Sequence, residues 1–195
     1  MTAKLTRDDL WSLEQYAEKR NEFRAQVMEH KKSRQVAIGP NATLYFEDRM
    51  VMQYQVQEML RIERIFEKDA IQEELDAYNP LIPDGSNWKA TFMLEYPDVE
   101  QRKIELGKLL GIEKKVWVRV GELDKVYPIA NEDLERETED KTSSVHFLRF
   151  ELTPEMVEAA KSGAAISMGI DHDAYRYEVV PVADNIRQSL AADLD

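Results

Sequence analysis

Cysteine is absent from all 195 residues. Its absence excludes disulfides, thiolate zinc sites, self-ligated iron–sulfur clusters and a cysteine nucleophile. Glycine and proline are sparse, at seven each. With 33% charged and 43% hydrophobic residues, long disordered tracts are not expected, and a core can form without staples. No run approaches the roughly 18–20 apolar residues that a membrane-spanning helix needs. The opening MTAKLTRDDLW lacks the apolar stretch of a signal peptide. The expectation is a soluble, cytoplasmic chain with no membrane partner. GxGxxG, P-loop, GxSxG, HExxH and EF-hand signatures are missing too. An enzyme built on carboxylates and a histidine stays open.

What is present is acidic, with a net charge of −12. Residues 1–34 carry 8 basic against 6 acidic groups, residues 35–121 carry 11 against 15, and residues 122–195 carry 7 against 17. Such a C-terminal half repels phosphate backbones, so nucleic acid is not an expected partner.

Periodicity predicts an α+β chain: a mixed, mainly antiparallel sheet packed by helices, in one domain. An N-terminal helical arm (1–34) would precede a sheet-and-helix body (35–195). Thr6 with Asp8 and Asp9 reads as a helix start, and the helix runs to about Arg34 with a break near Asn21. Strands are expected at 35–39 and 42–47, followed by a long helix after Asp48 and a shorter one at 69–78. Strand 90–96 and helix 98–110 come next. Strand 116–120 has an expected hairpin partner at 125–130, and Asn131 reads as the cap of a short acidic helix. Strand 144–152 leads into Thr153-Pro154-Glu155, a cap, a first-turn proline and an early acid. A hairpin around Asp171-His172-Asp173 and a last helix at 184–194 close the chain.

The stretch 44–83 is the most informative. It crowds Glu47, Asp48, Tyr54, Gln57, Glu58 and Arg61 onto or beside a helix that also carries a wide apolar face. Glu47, Asp48 and Glu58 offer oxygen ligands of the kind Mg²⁺ or Mn²⁺ takes, so a divalent metal is conceivable although no cofactor motif is evident. Asp48 as an N-cap and Glu58 paired with Arg61 explain the same residues without a metal. Tyr54, Gln57 and Arg61 share one helix face and suit either a small anion or a polar seam between packed layers. His146 shares its strand face with Leu148, Phe150 and Leu152, which makes it a core histidine or, with Glu47 and Glu58, a metal ligand or base. Tyr45, Trp117, Arg119, Phe147 and Arg149 fall on the opposite strand faces. Trp, Tyr and Arg are favoured at interface hot spots, so these five form a candidate interaction face.

The phrases FEDRMVMQYQVQEMLRIERIFE, IQEELDAYNPLIPDGSNWKATFMLEYPD and EDKTSSVHFLRFELTPEM resemble, in that order, a bacterial family of about this length, domain of unknown function number 3501. The likeness covers nearly the whole chain. It carries no reaction, cofactor or catalytic residue with it. It implies a redox or oxidative-stress setting, because such proteins are often encoded near rubrerythrin-like and iron–sulfur oxidoreductase proteins. A chain without cysteine would assist a redox partner there rather than carry electrons. The centres of the shared phrases add Arg49, Asn79 and Lys141 to the candidate ligand residues. The leading expectation is therefore an accessory or binding protein acting through protein contacts, with a partner or with itself as a homodimer. The alternative is a metal- or anion-binding enzyme using a carboxylate, histidine and arginine site.

Overall fold

The computed structural model describes residues 3–195. The chain starts with a 3-10 turn at Arg7–Asp9, closed by Thr6 and Asp9. It breaks at residues 10–12 and begins α1, Leu13–Lys31. The break falls earlier than the expected one near Asn21, because Ser12 caps the helix: its hydroxyl accepts from Gln15 N, and Ser12 N donates to Gln15 Oε1. Next come β1 (Gln35–Ala37), β2 (Ala42–Phe46), α2 (Arg49–Glu63), α3 (Lys68–Tyr78) and β3 (Asn87–Leu94). The remainder is α4 (Val99–Lys108), β4 (Val116–Val120), β5 (Ile129–Ala130), β6 (Val145–Glu151), α5 (Pro154–Lys161), β7 (Ile166–His172), β8 (Tyr175–Val179) and α6 (Asp184–Ala191).

The α+β class holds, but the strands divide into two sheets, and every pairing is antiparallel. One sheet has the order β1-β2-β3-β6-β5 and the other β4-β7-β8. Their inner faces share one core, with Leu44, Trp88, Phe92 and Phe150 from the first and Val118, Ile166 and Met168 from the second. The segment expected to pair with β4 along its length does so only at Val126, which bridges Val118. It then crosses over, and Ile129–Ala130 pairs with β6 in the other sheet. No helix follows Asn131. That residue takes left-handed backbone (φ 54°) and turns its side chain inward.

The outer face of the five-stranded sheet positions the site. Registers place Tyr45 opposite Thr91 and Thr91 opposite Phe147; one row on, Met93 pairs with Val145, and on the other side Lys89 pairs with Arg149. Helices α1, α2 and α3 lie beside this face with small cores of their own. One gathers Val51, Met52, Val56, Leu60, Leu75 and Ile82; another gathers Tyr16, Phe23 and Val27. Among the described residues no helix is long and apolar enough to cross a membrane.

Candidate functional site

Several crowded polar residues of the 44–83 stretch are fully engaged. Gln57 is wholly buried; its Oε1 accepts from Trp11 N at 2.7 Å and its Nε2 donates to Trp11 O at 3.3 Å. Asn79 treats Leu5 the same way, accepting from its N at 2.8 Å and donating to its O at 2.9 Å. Lys4 adds a bond to Ile82 O at 2.6 Å and an ion pair with Asp84 at 2.9 Å. Two carboxamides thus replace strand partners for residues 5 and 11, leaving no backbone group there unpaired. Glu58 accepts from Tyr16 Oη at 2.7 Å and from Arg20 Nε and Nη2 at 2.6 and 3.1 Å. These donors hold the Glu58 carboxyl below its ordinary range, with Arg20 contributing most. Arg61 stands 3.9 Å away and half-exposed. Tyr54 packs edge-on against Phe23 at 6.1 Å, and Arg49 ties Asp9 at 2.7 Å and Ala3 O at 3.0 Å. Lys141 is exposed, its backbone closing a turn with Thr138.

His146 lies on the inner face, as its alternation predicts, beside Phe92. Asn131 Nδ2 donates to His146 Nδ1 at 2.8 Å, so the ring proton sits on Nε2, which reaches Ser143 O and Thr142 Oγ1, each at 2.9 Å. Burial pushes its pKa down. The nearby Glu113 is 2% exposed and its Oε2 meets no donor among the described residues. Among the described residues His146, Glu47 and Glu58 share no hydrogen-bond partner. Among the described residues no group of three or more His, Cys, Asp or Glu side chains converges to hold a metal ion.

The five-residue aromatic–arginine face is not one surface. Tyr45, Phe147 and Arg149 belong to the outer face of the five-stranded sheet, whereas Trp117 and Arg119 belong to the three-stranded sheet. Trp117 is buried against Gly169, where a Cβ would come within 2.4 Å of its Cζ2, and Lys125 Nζ covers the ring at 4.2 Å. Arg119 donates to Leu123 O at 2.7 Å. Arg149 forks to Glu132 at 2.9 and 2.7 Å and also binds Glu151. Arg136 sits 4.6 Å over the Phe147 ring.

Behind α1 and α2 lies a buried charge cluster. Arg34, 2% exposed, donates to Phe46 O and Glu47 O at 3.1 Å each, to Ser189, and to both oxygens of Asp193 at 3.2 and 2.6 Å. Asp48 caps α2 through Val51 N at 2.9 Å, takes His30 Nε2 at 2.5 Å and lies 3.4 Å from Arg34. Two carboxylates thus share one guanidinium. With burial as the main cause, Asp193 is pushed up to about 6.

Beside this cluster a cleft of about 590 Å³ opens between the helices and the sheet. Tyr45, Thr91, Met93, Val145 and Phe147 floor it, and Val51, Met52, Gln55, Tyr78 and Leu81 wall it. Glu47 and Lys31 supply charge at one end. Glu47 N donates to Lys89 O, and Thr91 Oγ1 donates to Glu47 Oε1 at 2.8 Å. Oε2 has no hydrogen-bond partner among the described residues. Protein atoms crowd the carboxyl, and this desolvation pushes its pKa up against the opposing pull of Thr91, Lys31 and Arg34. Tyr78, Leu81 and Phe147 also wall a neighbouring chamber of about 650 Å³ that reaches Lys89 and Arg149. The cleft therefore brings together Glu47, Tyr45 and Phe147 from the sequence-derived candidates. Lys31, Thr91, Met93 and Val145 were not among them. The alternation of β3 already set Thr91 and Met93 opposite Phe92, but it did not show that this second face is only partly covered.

The chain matches the protein family described as "Protein of unknown function (DUF3501)" over residues 4–194. It is 51% identical to a protein of unknown function from Burkholderia pseudomallei whose crystal structure has been solved. The TM-score is 0.93, with 99% of this chain and 100% of that chain covered. No curated protein matches. A match that runs from residue 4 through the cleft to the last helix means that the chain belongs to the DUF3501 family.

Proposed function

We propose that this chain is a binding protein that holds an apolar organic ligand in the cleft between its helices and the outer face of the five-stranded sheet. The observation that carries this reading is the cleft itself: about 590 Å³, walled mostly by apolar side chains, with a single carboxyl at one end whose Oε2 has no hydrogen-bond partner among the described residues. That volume and mixture suit a small-molecule site, where apolar walls supply affinity and a few polar groups fix orientation. Native mass spectrometry of the full chain taken from its own cells tests it. A retained added mass is expected, lost in Met93→Trp, whose indole fills the cleft, and reduced in the milder Val145→Phe. A wild-type chain that carries no added mass and takes up no apolar dye overturns the reading.

The second reading is an accessory protein acting through protein contacts, in the redox or oxidative-stress setting implied by the family likeness. Its favouring observation is the exposure of Ile62 and Phe66, at 60% and 73%, at and just beyond the end of α2. Phe66→Ser is expected to change self-association or capture of a partner from lysate. If neither changes, this surface has no such role.

A further inference from the structure

The charged groups facing the cleft are of unequal availability. Arg34 is fully used by the carbonyls of Phe46 and Glu47, by Ser189 and by Asp193. Lys31 is different. Its ammonium stands 5.8 Å above the Tyr54 ring and has no carboxylate within ion-pair distance among the described residues. Glu47 is held by Thr91 through Oε1 alone. One cation and one carboxyl oxygen therefore face an apolar cleft without a protein hydrogen-bond or ion-pair partner among the described residues.

Resting on the cleft reading, the geometry points to a ligand made of a single apolar chain ended by a carboxylate. The head group sits between Lys31 and Glu47, and the chain lies along Met93, Val145 and Phe147. A buried anion needs both a counter-charge and a hydrogen-bond donor. Lys31 supplies the first. Glu47 in its acid form supplies the second from Oε2, and its desolvation favours that form. An alkylammonium head would stand beside the positive charge of Lys31 and be repelled. An alcohol would leave Lys31 without a counter-ion. A chain too long for the first chamber can pass Tyr78, Leu81 and Phe147 into the second, of about 650 Å³.

Titration calorimetry of the full chain with laurate, dodecanol and dodecylamine tests the ligand class. Laurate is expected to bind about ten-fold more tightly than either analogue. Lys31→Met, which keeps the apolar stem on a half-exposed helix end, should cost laurate about ten-fold, or ~1.4 kcal/mol, and leave dodecanol unchanged. Met93→Trp should abolish laurate binding. Dodecylamine or dodecanol binding as tightly as laurate, and lost in Met93→Trp, would overturn the carboxylate assignment while keeping the cleft as a ligand site. Laurate binding unchanged in both variants, or matched by binding to anionic phospholipid vesicles in Met93→Trp, would place it on the surface and overturn the proposal. Failure of all three compounds to bind would overturn the chain-carboxylate proposal, and the cleft reading falls with it only where the wild-type chain also carries no added mass and takes up no apolar dye.

Discussion

Glu47 stands just before α2 and Glu58 inside it, and the two carboxyls meet opposite surroundings. Glu58 receives a hydroxyl and a guanidinium from α1 and falls below its ordinary pKa; Glu47 receives one hydroxyl, is desolvated, and rises. Equal chemistry thus serves two ends. The satisfied acid fastens helix to helix, whereas the half-satisfied one keeps a free oxygen on a cavity. A carboxyl that the fold has not finished pairing is a better guide to binding than a dense polar cluster, since buried polar groups are normally paired.

This contrast can be broken experimentally. The largest effect is expected at the charge cluster beside the cleft. Arg34→Leu leaves Asp193 buried without its cation, and urea unfolding should show a loss of about 3–5 kcal/mol. The same cluster gives a pH signature. Folded Asp193 keeps its proton up to about 6, against an ordinary 3.8. Between those values the folded chain holds more protons than the unfolded one, so this residue's stabilising contribution falls as pH rises. Unfolding midpoints across that window should decline less steeply in Asp193→Asn than in wild type.

Gln57→Ala strands Trp11 N and O and should cost about 2–3 kcal/mol, with faster hydrogen exchange over residues 5–11. Glu58→Gln weakens the acceptor for the buried Tyr16 hydroxyl, and about 1–2 kcal/mol is expected. Glu47→Gln keeps an acceptor for Thr91 and leaves the desolvated position neutral. Its stability should stay within about 0.5 kcal/mol of wild type in the same urea series. Equal costs for Glu58→Gln and Glu47→Gln would erase the distinction drawn between them.

Local patterns carried much of the fold. The alternation of Ala90, Phe92 and Leu94 gave β3 its inner face, His146 pointed inward as its neighbours required, and Thr153-Pro154 opened α5. Alternation gives the side of a strand but not the sheet it joins, so Trp117 and Arg119 looked like companions of Tyr45 and Phe147. Asn131 is chemically a good cap, yet its carboxamide is taken by His146 Nδ1 and Phe147 N, partners distant in sequence. The candidate site was legible at Glu47, where acids crowd a strand end. It was not legible at Lys31, because lacking a counter-ion is a property of everything packed around a residue. No spacing within α1 encodes it.

The strap formed by residues 4–11 has a consequence for how the chain is made. Its fastenings at Gln57, Asn79, Ile82 and Asp84 lie from 46 to 80 positions further on in sequence. During synthesis, which runs from the N-terminus, residues 4–11 leave the ribosome before the groups that fasten them. They must wait until α2 and the turn after α3 have followed. The strap is thus placed late relative to its own synthesis, and a nascent-chain crosslink between residues 5 and 79 would time the moment at which the helical layer closes.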